Sequence, residues 1–187
     1  MLTHRGTVEI KTERLLLRRF TLDDAQPMFD CWANDERVSR YLTWNPHGEV
    51  AVTKYILGMW CLDYDKENYY QWAIELDGKL VGGISVVAYD DNSERAEIGY
   101  CMGVDYWGRG IMTEAVKGVV EFLFTEVGCN RIEIDHLIEN PASGRVAQKC
   151  GFTKEGVRRE YFNKNGAFHD DVMYALLRKD WLVERSV

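Results

Sequence analysis

Residues 104–115 read VDYWGRGIMTEA. Two glycines flank an arginine, Tyr106 and Trp107 come just before them, and the junction joins a strand-like run to an amphipathic one. Several kinds of local chemistry use glycine there. One is a tight strand-to-helix turn that merely needs glycine. A second is a triphosphate loop, since Gly103 to Gly110 reads G-x-x-x-x-G-R-G. However, Arg109 stands where a lysine is required, and Gly110 removes the hydroxyl that would hold magnesium. A third is dinucleotide binding by G-x-G-x-x-G, but Thr113 takes the last glycine position and the stretch lies well past the first strand. An anion site at a helix N-terminus remains beside the plain turn. The backbone N–H groups of Gly108, Arg109, Gly110, Ile111 and Met112 can converge on one ligand, and Arg109 adds charge.

The elements around the junction follow from periodicity. Arg14–Phe20 reads as a first strand, and Thr21 followed by Asp23 and Asp24 reads as a helix start. A second helix is expected from Val50 to Leu62. Strands are expected at Tyr70–Glu75, Lys79–Tyr89 and Arg95–Met102, the first two joined by an Asp77-Gly78 hairpin turn. A helix from Thr113 to Val127 carries Val116, Val119, Val120 and Leu123 at helical spacing and stops at Gly128. A strand at Arg131–Ile138 and a short helix at Asn140–Cys150 follow. A hairpin then pairs Thr153–Phe162 with His169–Arg178 around Asn165-Gly166. This order predicts an α/β fold of the α+β kind, a mixed, mostly antiparallel central sheet with helices on both faces. Arg95–Met102 and Arg131–Ile138 should run parallel across a crossover.

With 187 residues, the chain suits a single domain over 1–187. It is 46% hydrophobic and 28% charged, the balance of a globular chain rather than a disordered one. A net charge of −7 argues against nucleic-acid binding and is compatible with an amine-bearing substrate. The five cysteines are odd in number and far apart, with no C-x-x-C pair, so no metal site and no disulfide framework is expected. Reduced thiols point to a cytoplasmic protein. The charges in MLTHRGTVEIKTERLLLRRF interrupt any signal-peptide core, and no apolar run is long enough to cross a membrane.

The run EIGYCMGVDYWGRGIMTEA resembles the acyl-CoA signature of the GNAT superfamily of N-acetyltransferases, its RimJ/RimL branch in particular. NPASGRVAQKCGF resembles that branch's second block, and ERLLLRRFTLDDA and HDDVMYALLRKDW resemble its two ends. The resemblance therefore covers nearly the whole chain. It implies acetyl-CoA as co-substrate, with Trp107–Thr113 gripping the pyrophosphate: Trp107, Gly108, Arg109, Gly110, Ile111, Met112 and Thr113. It implies a splayed strand at Tyr100–Val104 whose free backbone groups, those of Cys101, Met102, Gly103 and Val104 among them, bond the pantetheine arm. It also implies Asn140 and Ser143 beside the thioester. Met112 stands where the family has a small residue; it contributes its backbone, so little damage is expected, the alternative being a narrower groove. Ala147 stands where many members carry a tyrosine as acid toward the leaving thiolate; the resemblance to the RimL-like branch, which uses the serine instead, implies Ser143 as the candidate acid or thiolate stabiliser. The alternative for Ser143 is a helix cap.

Acetyl transfer needs a neutral amine. A lysine with pKa about 10.4 is neutral in roughly one molecule per thousand at pH 7, an α-amine with pKa about 7.7–8.0 in roughly one in ten. Glu97, facing the opposite side of the sheet from Ala96 and Ile98, is the candidate base; the alternative is a surface ion pair with Arg95 or a neighbour. The N–H of Cys101 or Met102 is the natural donor to the thioester oxygen. His136 and His169 read as structural, and Cys101 as packing. For the acceptor, Tyr41, Trp44 and Phe162 form an expected aromatic wall, and Asp170 or Asp171 could hold an ammonium, although a hairpin role suits these aspartates as well. The resemblance suggests a protein N-terminal α-amine as acceptor. A small-molecule amine, or a CoA-binding module without catalysis, stays open, as does a homodimer.

Overall fold

The computed structural model describes residues 1–185. Its strands are β1 (Ile10–Lys11), β2 (Leu15–Arg18), β3 (Gln71–Leu76), β4 (Lys79–Asp90), β5 (Arg95–Met102), β6 (Arg131–Leu137), β7 (Thr153–Lys164) and β8 (Ala167–Leu177). They form an eight-stranded sheet in the order β1-β2-β3-β4-β5-β6-β8-β7. Pairing is antiparallel in β1–β2, β2–β3, β3–β4, β6–β8 and β7–β8, and parallel in β5–β6. The helices are α1 (Ala25–Met28), α2 (Glu36–Ser39), α3 (Val50–Asp63), α4 (Ile111–Phe122), α5 (Pro141–Lys149) and α6 (Arg178–Glu184). This is the mixed, mostly antiparallel α/β architecture that the sequence predicts. Among the described residues, no helix is long and apolar enough to cross a membrane.

The chain divides into two compact units. The first holds His4–Val86 and Tyr100–Val119; the second holds Met1–Thr3, Val87–Gly99 and Val120–Val187. In the first unit, the Arg18 guanidinium grips both oxygens of Asp24 at 2.8 and 2.9 Å and reaches Glu75 at 2.7 Å. Asp24 in turn accepts the Thr21 N–H at 2.8 Å, so Thr21 opens a helical turn as expected. This half-buried network ties β2 to β3 and fixes where the helical segment departs. Phe20, Met28, Trp32, Val38, Leu57 and Ala73 then close a core, with Cys31, Trp44 and Cys101 packed against it. The β3–β4 hairpin turns on Asp77 and Gly78, both at positive φ (51° and 73°), the conformation a two-residue hairpin demands.

In the second unit β6 pairs with β8 from Arg131↔Leu177 to Leu137↔Asp171. Strand alternation sends Ile132 and Ile134, with Leu176 and Tyr174 opposite, into the core. Glu133 and Asp135 take the other face. β6 continues four residues beyond its last β5 partner, Glu97↔Glu133. Three elements escape the sequence reading: β1, two residues long; α2, a single turn; and α6, where a strand ending at Arg178 is expected but the chain turns helical from that residue. The helix expected from Thr113 starts at Ile111, and its last turn, Leu123–Val127, winds as a π-helix before Gly128.

In the first unit, a methyl group added at Gly82 would meet the Cys101 carbonyl oxygen at 2.5 Å and the Met102 Cα at 3.1 Å. Both obstacles are backbone, so neither can swing aside. Gly82→Ala is therefore expected to destabilise the protein by about 1–3 kcal/mol, the cost of overpacking a filled interior. Urea denaturation measures it, and an unchanged midpoint would show that the two strands can separate freely.

Candidate functional site

The first unit shapes the Gly-Arg-Gly junction. Gly103 N–H donates to Val81 O at 3.0 Å, and Tyr106 N–H and Trp107 N–H close a 3-10 turn on Gly103 O and Val104 O, each at 3.1 Å. The Trp107 indole N–H donates to Met102 O at 2.9 Å, folding the loop back on the end of β5. Gly108 and Gly110 then adopt φ of 73° and 76°. Both glycines are required by backbone conformation, because L side chains rarely adopt it. Nothing lies within 4 Å of where a Cβ would stand on Gly108; on Gly110 only the Arg14 Nη2 approaches, at 3.7 Å. The outer face of this turn is open, and a ligand can reach its backbone.

The helix behind the loop makes its first turn-closing bond from Glu114 N–H to Gly110 O at 3.1 Å. The N–H groups of Ile111 and Met112 precede that bond and belong to the helix's donor end. Their side chains are buried, so each offers the loop only its backbone. The Met112 side chain thus packs inward and does not narrow the groove. Arg109 is exposed, with its guanidinium 5.6 Å from the centre of the Tyr106 ring.

Glu114 is a site residue that the sequence reading missed. Its Oε1 accepts the Thr12 hydroxyl at 2.6 Å and the Arg14 N–H at 2.8 Å, and its Oε2 accepts Arg14 Nε at 2.7 Å. Arg14 Nη1 also donates to the Arg109 carbonyl at 3.4 Å. Burial pushes the Glu114 carboxyl up, but the bonds from Thr12 and Arg14 outweigh it and hold the group below its ordinary range. The available signal was an acid in the first helical turn, but its partners lie about a hundred residues earlier.

The geometry at the end of β5 separates Cys101 from Met102. Gly103 N–H points to β4, so by alternation the backbone of Cys101 points the same way. Met102, whose carbonyl accepts the Trp107 indole, points its N–H off the opposite edge. Of the two backbone donors expected here, the geometry favours Met102. Burial pushes the Cys101 thiol up to about 12, which suits packing rather than nucleophilic attack. All five cysteines remain thiols. A cleft of about 510 Å³ in the same unit touches the loop start at Val104, Asp105 and Tyr106; its Arg18 and Arg37 are paired with Asp24 and Asp35.

The second unit carries the remaining candidates. Asn140 is the N-cap of α5: its Oδ1 accepts the Ser143 N–H at 3.4 Å, and Pro141 follows in the first turn. Ser143 therefore lies inside the helix and is not its cap, while Ala147 is fully buried. Glu97 lies between buried Ala96 and Ile98 and stands in register with Glu133. Burial raises its pKa above the ordinary carboxylate value; Arg158 and Arg95 pull it down, while Glu133 and Asp171 add to the rise.

Asp171 is not open to an ammonium: it is buried and held by Arg158. Asp170 Oδ1 accepts the Glu160 N–H at 2.9 Å, the hairpin role also weighed for it. His169 Nδ1 meets Glu139 Oε1 at 3.1 Å, and His136 Nδ1 meets Leu137 O at 2.7 Å with its ring stacked on Tyr174. Among the expected aromatics, Tyr41 lies under the Arg40 guanidinium at 4.4 Å. Trp44 packs on the first unit's core and against His47. Phe162 stands in the second unit, opposite His169 in the β7–β8 hairpin.

Comparison with known proteins supplies the family. The model of the acetyltransferase (GNAT) domain matches residues 14–153. The uncharacterized N-acetyltransferase YoaA of Bacillus subtilis (strain 168) is 34% identical over 171 residues, 90% of this chain and 96% of that protein. The [ribosomal protein uS5]-alanine N-acetyltransferase of Escherichia coli (strain K12) is 27% identical over 186 residues, 93% of each chain. Among solved structures, RimL, a ribosomal L7/L12 α-N-protein acetyltransferase in complex with coenzyme A, superposes with a TM-score of 0.82 at 22% identity, covering 91% of this chain and 98% of that one, a likeness of fold. The chain belongs to the GNAT family of N-acetyltransferases and is an acyltransferase.

Proposed function

We propose that this acyltransferase takes its acetyl group from acetyl-CoA and passes it directly to a protein N-terminal α-amine in the cytoplasm. The observation that carries the donor half is the open turn at Gly108–Gly110, with helix-start N–H groups behind it and Arg109 exposed on it. Backbone donors at a helix start suit a pyrophosphate. The coenzyme A bound to RimL supports the same reading. The acceptor half is supported by the alanine N-terminus in the name of the uS5 relative and by the net charge of −7.

In this reading the neutral amine nitrogen attacks the thioester carbonyl carbon. The Met102 N–H donates to the oxygen as it gains negative charge. Glu97 accepts the proton released from the amine, directly or through water. As the tetrahedral intermediate collapses, the carbon–sulfur bond breaks, and the Ser143 hydroxyl hydrogen-bonds the departing thiolate. Asn140 holds the helix start that presents Ser143. Glu97 serves as base above its pKa and loses that role as pH falls through it. Its raised value makes it a stronger proton acceptor than an exposed glutamate.

Coenzyme A should raise the melting temperature, by linkage worth about 2.7 kcal/mol at a hundredfold excess over its dissociation constant. A valine at Gly110, with φ of 76°, would strain the backbone, so Arg109 is the position to change. Arg109→Glu should weaken coenzyme A binding roughly tenfold or more, the cost of losing a hydrogen bond to a charged group. An equal thermal shift in a folded Arg109→Glu protein would remove the loop from the donor site.

Ser143 and Asn140 separate chemistry from capping. Ser143→Ala should cut turnover roughly ten- to a thousandfold, the range for one such donor, and leave stability nearly untouched. Asn140→Ala should instead cost about 1 kcal/mol of stability. Urea midpoints and thiol release from acetyl-CoA, measured on the same preparations with peptides of different N-termini, compare the two. A Ser143→Ala protein with full turnover would exclude the hydroxyl.

A further inference from the structure

Four strands of the second unit bring one row of charge to a single sheet face. Glu97 on β5 stands in register with Glu133 on β6, and Asp135 lies two residues further along that same face. Asp171 on β8 is opposite Leu137, which shares the face with Asp135, and Arg158 on β7 is opposite Asp171. The Arg158 side chain crosses back over β8. Its Nε donates to Asp171 Oδ2 at 3.0 Å and its Nη2 to Asp135 on β6. The Tyr161 ring lies 3.7 Å from the guanidinium carbon. One cation is thus pinned over β6 by two carboxylates and an aromatic face, beside the strand that carries Glu97.

We propose that Arg158 is a positioning residue for acetyl transfer: clamped by Asp135 and Asp171, its guanidinium sets the charge state of Glu97. The inference rests on the reading of Glu97 as the proton acceptor. The groups that face Glu97 are Arg95 on its own strand, Glu133 and Asp135 on β6, Asp171 on β8 and Arg158 on β7. On β4, Val87 packs against Gly99, which brings Tyr89 alongside as well. The other cations on this face, Arg95 and Arg131, are already committed to Glu133 at 3.1 and 2.6 Å. Arg158 is therefore the charge that offsets Asp135 and Asp171. Without it, three carboxylates would share a half-buried face, and such groups resist joint ionisation. Asp135 already reflects the crowding: burial first, then Asp171, push it up to about 6 against the pull of Arg158.

The sign follows directly. Arg158→Gln removes the attraction and leaves two unpaired anions, so Glu97 must hold its proton to higher pH. Asp135→Asn removes an anion and keeps the cation, so Glu97 must release its proton at lower pH. The experiment is a carbon-13 carboxyl titration of the full chain, with the Glu97 signal assigned by its absence in Glu97→Gln. The midpoint should rise by about one pH unit in Arg158→Gln and fall in Asp135→Asn, and Arg158→Lys, which keeps the charge, should bring it back toward wild type. The acid limb of kcat should move with each midpoint. A merely structural role lowers stability but does not move the two midpoints in opposite directions. A Glu97 midpoint unmoved in Arg158→Gln overturns the proposal. Should that variant not fold, an unmoved midpoint in Asp135→Asn does the same. Full turnover in Glu97→Gln removes the base reading instead, and leaves the titration result standing.

Discussion

The close approach of β4 to the end of β5 is the constraint from which the loop geometry follows. A Cβ on Gly82 would strike the Cys101 carbonyl, and one on Gly103 would strike the Cys31 sulfur at 2.4 Å. With both positions reduced to hydrogen, Gly103 can bond Val81. That bond decides the direction of every backbone group before it. Cys101 is committed to β4, and Met102 is directed away. The Trp107 indole then bonds the Met102 carbonyl, and the chain reverses into the two positive-φ glycines. Packing at two glycines thereby becomes a choice of which N–H is turned away from β4.

A second set of bonds holds the helix behind that loop. Glu114 is a carboxylate near the positive end of a helix, a favourable place for an anion. Thr12, the Arg14 backbone and the Arg14 guanidinium all converge on it. Arg14 spends one end of its side chain on Glu114 and another on the Arg109 carbonyl. The cation on the loop itself, Arg109, is left exposed. The two arginines divide the work: Arg14 fixes the backbone and Arg109 carries charge.

Much of this was legible in the sequence, and the rest was hidden for identifiable reasons. The limits of β5 and the turns at Asp77-Gly78 and Asn165-Gly166 follow from local signals: alternation and residues that tolerate positive φ. The Gly-Arg-Gly junction was legible because its glycines do something no other residue does. What escaped depends on contacts between distant segments. Glu114 reads as an ordinary first-turn acid until Thr12 and Arg14 are seen around it. Asp171 reads as a possible ammonium site until Arg158 is seen holding it. Ser143 reads as a cap because serine caps helices well, yet Asn140 is three residues earlier and takes that role. Short elements such as β1 and α2 span less than one period of any hydrophobic pattern.

If Glu97 is the proton acceptor proposed above, the charges near it bear on which amines it can serve. Proton transfer from an ammonium to a carboxylate is uphill by about 1.36 kcal/mol for each unit separating their pKa values. A lysine ammonium lies roughly 2.5 units above an α-ammonium, so it adds about 3.4 kcal/mol to the same step. Burial narrows the gap by raising Glu97, and Arg158 widens it again by pulling the value back down. A base balanced in this way meets an α-amine, a tenth of which is already neutral at pH 7, far more readily than a lysine. With Glu97 in the role proposed for it, basicity of the acceptor would discriminate between amines before any contact with the rest of the substrate, and it would favour an N-terminus.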